Sequence, residues 1–111
     1  MSRIQELRGR SFESQAGKCY YCRQPMWHEQ SDAFARNHGI SPAKARHLKA
    51  TAEHLTPRSD GGADTEQNIV AACAYCNGHR HKARVILSPE SYRRKVRARL
   101  ARGKWHGLRL T

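Results

Sequence analysis

A chain of 111 residues accommodates one domain with a modest hydrophobic core, so we expect a single domain over residues 1–111. No apolar run approaches membrane length, and the first ten residues lack the apolar segment of a secretory signal. These features argue against a membrane protein and predict a soluble, cytoplasmic one. The excess of 21 Lys and Arg over 9 Asp and Glu gives a formal net charge of +12, which favours a polyanionic partner.

The positive charge is concentrated in the last third of the chain. Residues 1–78 have a net charge of +2, whereas residues 79–111 contain 11 basic residues and a single acid, Glu90. A block of positive charge indicates a polyanionic partner. No segment combines this charge with the broad apolar face of a membrane-surface helix. We therefore expect DNA as the partner. The candidate nucleic-acid contacts are Arg58, Arg93, Arg94, Lys95, Arg97 and Arg99.

The first predicted element is a helix over residues 2–15, which Gly17 ends. Cys19 and Cys22 follow in the sequence Lys-Cys-Tyr-Tyr-Cys. Two intervening residues allow both thiolates to turn towards one ion, with backbone N–H groups near the sulfur atoms. This spacing predicts a tight turn, the knuckle, that supplies two metal ligands.

Residues 26–47 give weaker signals. Residues 29–37 have helical composition and are followed by Gly39, which stops a helix. A second short helix is expected over residues 41–47, because this stretch begins with a serine cap and a proline at the first helical position. We interpret residues 26–47 as a helical insertion on the surface.

Two predicted strands enclose a glycine-rich loop. Residues 48–55 alternate loosely between side chains of different polarity, which predicts the first strand. Pro57 and the Asp-Gly-Gly sequence at residues 60–62 interrupt it with a long loop. The apolar residues 69–72 predict the returning strand.

Two helices are predicted after the returning strand. The first is expected to begin at Cys73 and to end at about residue 87. A second Ser-Pro cap begins a basic C-terminal helix over residues 88–104, which flanks a core expected over residues 17–87. The apolar stripe of the C-terminal helix consists of Tyr92, Val96 and Leu100.

The four cysteines form two Cys-x-x-Cys pairs, namely Cys19, Cys22, Cys73 and Cys76. In a reducing compartment such pairs are more typical of metal ligands than of disulfides. A knuckle and a helix N-terminus together can close a tetrahedral structural zinc in a treble-clef-like arrangement. The alternatives are a redox dithiol and two buried free pairs of cysteines. A redox dithiol needs only one pair and a βαβ setting that is absent. Four thiolates leave no open position for water, so this zinc is not catalytic.

A second group of polar residues surrounds the glycine-rich loop. Glu53 and His54 precede the loop, Asn68 follows it, and Asn77 and His81 share one helix face at i, i+4. Hydrolysis of a phosphodiester needs an activated water and a charge that stabilises the phosphate. A histidine can activate the water, and a divalent ion held by carboxylate, amide and imidazole groups can supply the charge.

These elements resemble the HNH endonuclease family over residues 52–82, about a third of the chain, together with the upstream cysteine pair. The resemblance implies an α+β fold with a small treble-clef-like ββα-metal core, a structural zinc and flanking helices. It implies that His54 is the general base and that Asn68 braces the loop and orients the histidine. It also implies that Mg²⁺ or Mn²⁺ is held by Glu53, Asn77 and His81.

Position 53 raises two questions about this resemblance. The family more commonly has Asp where this chain has Glu53, so the reach of the longer carboxylate differs. Successive residues of a regular strand also face opposite sides, so Glu53 and His54 can serve one site only if the strand is irregular. We expect such an irregularity just before the Thr-Pro pair at residues 56–57.

The function that the resemblance implies is metal-assisted cleavage of DNA, leaving 5′-phosphate and 3′-hydroxyl ends. A zinc-stabilised nucleic-acid-binding module explains the charge and the cysteines equally well, but gives no reason for the residues around the loop. RNA as substrate or ligand stays open, as does the oligomeric state.

Four other histidines are expected in surface or core positions, namely His28, His38, His47 and His106. His79 lies on a different helix face from Asn77 and is a candidate phosphate contact.

Overall fold

The computed structural model describes residues 2–111, in which five α-helices surround a two-stranded sheet. In chain order the elements are α1 (Arg3–Ser14), α2 (Ser31–His38), α3 (Pro42–Arg46), β1 (Ala50–His54), a 3₁₀ turn (Arg58–Asp60), β2 (Ile69–Cys73), α4 (Ala74–Lys82) and α5 (Pro89–Ala101). This combination confirms the predicted α+β class with a small ββα core. Within residues 2–111, no helix is both long and apolar enough to cross a membrane.

The cap residues explain where the longer helices begin. Ser2 accepts a hydrogen bond from the Gln5 backbone N–H, and the Gln5 side chain accepts one from the Ser2 N–H, which forms a capping box. Ser88 Oγ accepts a hydrogen bond from the Ser91 N–H at the start of α5, with Pro89 at the first helical position. Tyr92 and Val96 are buried beneath α5, as its apolar stripe predicted.

Strands β1 and β2 are antiparallel and pair without interruption from Ala50 opposite Cys73 to His54 opposite Ile69. The expected irregularity before residue 56 is therefore wrong. Glu53 and His54 nevertheless border the same cavity, because this end of the sheet meets the interstrand loop on one side and α4 on the other. A regular strand can thus present two successive residues to one site at its edge.

Helix α4 is shorter than predicted, since it ends at Lys82 rather than near residue 87. Ala83 has extended backbone angles, and the chain then turns so that the Leu87 carbonyl accepts two hydrogen bonds from the Arg80 guanidinium. A helix that continued to residue 87 could not bring this carbonyl back to Arg80. The end of α4 is therefore set by a buried side chain.

The core lies between the knuckle, the sheet and α5. Helix α1 covers the outer edge of β2, where Gln15 exchanges two hydrogen bonds with the Ala71 backbone. The segment after α5 returns to the knuckle, because Leu108 is buried and the Leu110 N–H donates to Gln24. The C-terminal residues consequently contribute to the core as well as to the surface.

Gly62 lies where the interstrand loop passes closest to the end of β1. A Cβ atom at this position would stand 1.7 Å from the Thr56 carbonyl oxygen and 2.9 Å from Asn68 Nδ2. Asn68 fastens the same loop, since it accepts a hydrogen bond from the Thr56 N–H and donates to the carbonyls of Thr56 and Ala63. The loop can close in this way only with glycine at position 62.

We expect Gly62→Ala to lower the free energy of unfolding by about 1–3 kcal/mol, the range for overpacked sites, because backbone atoms must move to admit the methyl group. Gly9→Ala is the matched control, since its methyl group would meet nothing within 4 Å on α1. The control should raise stability by about 0.5–1 kcal/mol. Urea denaturation measures both, and equal stability of the two variants would contradict the close approach.

Candidate metal and catalytic site

The four cysteine sulfur atoms lie together and are buried, with all Sγ atoms within 4.8 Å of one another. The knuckle supplies Cys19 and Cys22, the end of β2 supplies Cys73 and the first turn of α4 supplies Cys76. The Cys22 and Cys73 sulfur atoms are 3.9 Å apart, close to the roughly 3.8 Å expected between thiolates that share one tetrahedral zinc. The cluster could therefore hold a structural zinc.

Hydrogen-bond donors surround these sulfur atoms. The backbone N–H groups of Tyr21 and Cys73 point at Cys19 Sγ, and the Cys76 N–H points at Cys73 Sγ. The segment after α5 adds two side chains, Trp105 Nε1 at 3.3 Å from Cys76 Sγ and His106 Nε2 at 3.4 Å from Cys22 Sγ. Such donors stabilise thiolate charge and orient metal ligands.

The cluster shifts the pKa values of its thiols in opposite directions. Burial, followed by the neighbouring thiols, raises the pKa of Cys76. Hydrogen bonds from Cys19 and then from the other thiols hold the pKa of Cys22 well below its ordinary value. Four thiolates this close repel one another strongly in a buried site, so a cation is required to keep all of them ionised.

Glu53 is the centre of a buried polar network at the opposite end of β1. Its side chain is 0% exposed, and its Oε2 accepts hydrogen bonds from Tyr21 Oη at 2.8 Å and Arg80 Nη1 at 3.0 Å. Its Oε1 lies 2.7 Å from His81 Nε2. Burial and then the Glu53 charge raise the pKa of Tyr21, so the hydroxyl remains a donor. The network fixes the carboxylate in one position.

Arg80 is buried with Glu53 and makes further hydrogen bonds to three backbone carbonyls, those of His54, Leu55 and Leu87, at 3.0–3.2 Å. It therefore fastens the end of β1 and the segment after α4 to the buried carboxylate. Neither Arg80 nor Tyr21 was predicted from the sequence as a site residue. An arginine within a basic block has the pattern of a surface residue. That Arg80 is buried becomes evident only from the groups that accept its hydrogen bonds in the structure.

Asn77 faces the same region from the first turns of α4. Its Nδ2 donates to Thr51 Oγ1 at 3.0 Å and to the Ala52 carbonyl at 3.1 Å. These bonds fix the orientation of the amide, and within residues 2–111 no group donates to its oxygen. That oxygen is therefore available to a ligand.

One cavity of about 360 Å³ brings together four of the five residues predicted for catalysis and for the divalent ion. The predicted site residues among its lining are Glu53, His54, Arg58, Asn77 and His81. Asn68 does not line it and instead holds the loop that forms one wall. A carboxylate oxygen, an amide oxygen and an imidazole nitrogen converge here, and this donor set fits a hard divalent ion.

His54 is held by a residue that the sequence did not indicate. Its Nε2 lies 2.8 Å from Asp64 Oδ1, and Arg58 approaches the other oxygen of this carboxylate at 3.1 Å. The hydrogen bond with His54, and then that with Arg58, lowers the pKa of Asp64. An ionised Asp64 accepts a hydrogen bond from Nε2–H, and this tautomer leaves Nδ1 of His54 as the proton acceptor.

The basic helix α5 lies apart from this cavity. Arg94, Lys95, Arg97 and Arg99 are exposed, whereas Arg93 is half-buried with its guanidinium 4.1 Å from the centre of the Tyr20 ring. None of these side chains lines the cavity around Glu53. Arg58 is the predicted nucleic-acid contact that does so.

A strand, a loop, a second strand and a helix follow one another and form a ββα unit, and the cysteine cluster beside it makes the whole a small ββα-metal fold. The model of the HNH endonuclease family matches residues 19–83, and because this is more than half of the chain, the protein belongs to that family. The matched region begins at the first cysteine ligand and ends just after α4. Neither a curated protein nor a solved structure matches the chain.

Removal of a cysteine ligand should prevent folding. We expect the purified protein to carry one tightly held zinc and Cys73→Ser to be largely unfolded, because metal binding supplies folding free energy. His106→Ala should instead fold and lose zinc affinity by about 10–100-fold, as expected for a residue that orients a ligand. Circular dichroism and chelator competition measure these effects. His38→Ala should bind zinc like the wild type, and a folded, zinc-free wild type would contradict the assignment.

Replacement of Arg80 should destabilise the protein more than that of any exposed arginine. Arg80→Met leaves the Glu53 charge buried without its cation, which is expected to cost about 3–5 kcal/mol in thermal or urea denaturation. Arg84→Met, at an exposed position, should change stability by no more than about 0.5 kcal/mol. Addition of Glu53→Gln to Arg80→Met should recover part of the loss. Simple additivity of the two substitutions would show that the ion pair is not the cause.

Proposed function

We propose that the protein is a divalent-metal-dependent endonuclease that hydrolyses phosphodiester bonds in DNA. The observation that carries this proposal is the convergence of Glu53, His54, Asn77 and His81 on one cavity, although they span 28 residues of sequence. A binding module would not need a histidine, a buried carboxylate and a free amide oxygen in one place. Membership of the HNH endonuclease family supports the same reaction class.

His54 is the proposed general base. Asp64 holds its Nε2, so Nδ1 can take the proton from a water molecule that attacks the phosphorus. Asp64 acts through His54 and is a positioning residue. Arg58 lines the cavity and is 64% exposed, so its guanidinium can approach a phosphate oxygen while it stays close to Asp64.

The proposed ligands of the divalent ion are Glu53, Asn77 and His81. A bound Mg²⁺ or Mn²⁺ would supply positive charge for the phosphate and the leaving oxygen. Tyr21 and Arg80 occupy one oxygen of Glu53 and leave the other, beside His81, facing the remaining ligands. The His81 side chain is 31% exposed and has room to move aside from direct contact with the carboxylate. We infer 5′-phosphate and 3′-hydroxyl products from the family resemblance.

A specific observation favours a second candidate, a zinc-stabilised nucleic-acid-binding module without catalysis. Both oxygens of Glu53 already have protein partners, Tyr21 and Arg80 on one and His81 on the other. A carboxylate satisfied in this way is stable without an ion. The two candidates differ in whether His54 affects cleavage, so that residue decides between them.

His54→Ala should reduce plasmid cleavage by about 10²–10⁴-fold, the usual effect of losing a general base, while zinc content and DNA affinity stay unchanged. Asn77→Ala should lose activity through weaker ion binding, so a higher concentration of Mg²⁺ or Mn²⁺ should restore part of it. Added imidazole should help the His54 variant and not the Asn77 variant, because only the former lacks a proton acceptor.

Asp64→Ala and His28→Ala complete this experiment. The former should lower the cleavage rate less than His54→Ala does, because the imidazole remains but is no longer oriented. The latter should cleave like the wild type, since His28 is exposed and lies outside the cavity. Equal cleavage by the wild type and His54→Ala would contradict the mechanism. Binding without cleavage of any DNA or RNA would favour the binding module.

A further inference from the structure

We propose that the protein has a second site for nucleic-acid phosphates, in an arginine-lined groove between the knuckle and α5. Two adjoining cavities of about 480 and 410 Å³ form this knuckle groove, and they share Arg23 and Arg97 as lining residues. Tyr20 and Arg93 line the first cavity, and Arg109 lines the second. None of these residues lines the cavity around Glu53.

In the described part of the chain, the knuckle groove is lined by several arginines and by no acidic side chain. Four arginines line it, Arg23, Arg93, Arg97 and Arg109, and within residues 2–111 no Asp or Glu side chain lines either cavity or forms an ion pair with them. Cations gathered without a counter-charge repel one another, and a polyanion relieves this repulsion. Guanidinium groups also match phosphate geometry, with two parallel hydrogen bonds.

Arg93 is prepared for a ligand in a way that an ordinary surface arginine is not. Its guanidinium stacks on the Tyr20 ring at 4.1 Å from the ring centre, which restricts its motion. Its Nε is buried and has no hydrogen-bond partner within residues 2–111. A buried donor without an acceptor costs free energy, and since Arg8 Nε is in the same state, it is the stacking on Tyr20 that distinguishes Arg93.

Arg23 supplies an independent observation from the backbone. It has φ 63°, in the left-handed region that glycine adopts without strain, at the position directly after the second cysteine of the knuckle. A non-glycine residue in this region costs free energy, and such strained residues cluster at functional sites. The Arg23 side chain lines both cavities of the groove, so this strained residue lies at the proposed site.

Duplex DNA is the ligand that we assign to the knuckle groove, and this assignment rests on the proposed nuclease function. The knuckle connects the groove to the candidate site, since Tyr20 lines the groove while the adjacent Tyr21 donates to Glu53. Their rings are 5.2 Å apart, edge to face. A phosphate backbone held in the groove would thus be fixed relative to the carboxylate at the site, and the groove would position the substrate.

The test compares two double variants that remove the same charge. Arg23→Gln with Arg97→Gln removes two guanidinium groups from the groove, whereas Arg36→Gln with Arg46→Gln removes two exposed cations of α2 and α3 outside it. Fluorescence anisotropy with a labelled DNA duplex measures affinity at several salt concentrations. The groove variant should lower the slope of log affinity against log salt by about 1.8, from about 0.9 for each phosphate contact, and the control should leave it essentially unchanged.

A third variant separates binding from folding. Arg23→Gly removes the side chain and relieves the left-handed strain, so its melting temperature should equal or exceed that of the wild type while DNA affinity falls. Loss of affinity in a variant that is no less stable supports a ligand-binding role for Arg23. A wild-type affinity in Arg23→Gly and in the groove double variant would overturn the proposal.

The remaining outcomes distinguish failure of the groove proposal from failure of the proposed nuclease function. Equal losses in the groove and control variants would overturn the groove and leave the proposed cleavage intact, because diffuse charge would then account for binding. Groove-dependent binding without cleavage by the wild type would support the groove and contradict the nuclease. A wild type that cleaves DNA with an affinity independent of salt would overturn the groove alone.

Discussion

The cysteine cluster is the constraint on which the other parts of the molecule depend. It fixes the knuckle to the end of β2 and to the first turn of α4, and the segment after α5 joins it through Trp105 and His106. A sheet of two five-residue strands is too small to be stable by itself, so these connections determine how the helices sit on it. Cys76 and Asn77 are neighbours on α4, so the helix that presents one cysteine to the cluster also presents Asn77 to the cavity. The cysteine cluster and the candidate catalytic site therefore share one element.

A second buried interaction fixes the orientation of α4 relative to the sheet. The ion pair of Glu53 and Arg80 joins β1 to α4, and the same guanidinium holds the carbonyls at the end of β1 and after α4. Buried ion pairs are costly unless hydrogen bonds satisfy both partners, and here both are satisfied. Glu53 therefore has two roles: one oxygen forms the structural ion pair, and the other is a proposed ligand of the metal. His81 contacts this second oxygen directly.

Local signals in the sequence were sufficient to predict much of this arrangement. The Ser-Pro caps located α3 and α5, and the spacing of the cysteines indicated the metal cluster. The sequence could not reveal features that depend on tertiary partners. Arg80 has the pattern of a surface residue until its carbonyl acceptors from two segments are known, and Asp64 reaches His54 only because the loop folds back. His106 is separated from Cys22 by 84 residues, and no periodicity connects them.

The arrangement of donors around the sulfur atoms has a consequence for protein synthesis. A growing chain contains all four cysteines about thirty residues before it contains Trp105 and His106, the side chains that approach Cys76 and Cys22. Until that segment packs, the sulfur atoms would be open on the side that Trp105 and His106 cover, and an ion could enter or exchange with little obstruction. When the segment after α5 packs against the knuckle, it would close this route around an ion bound at the cysteines. That segment would then act as a latch that turns early, reversible metal capture into long-term retention.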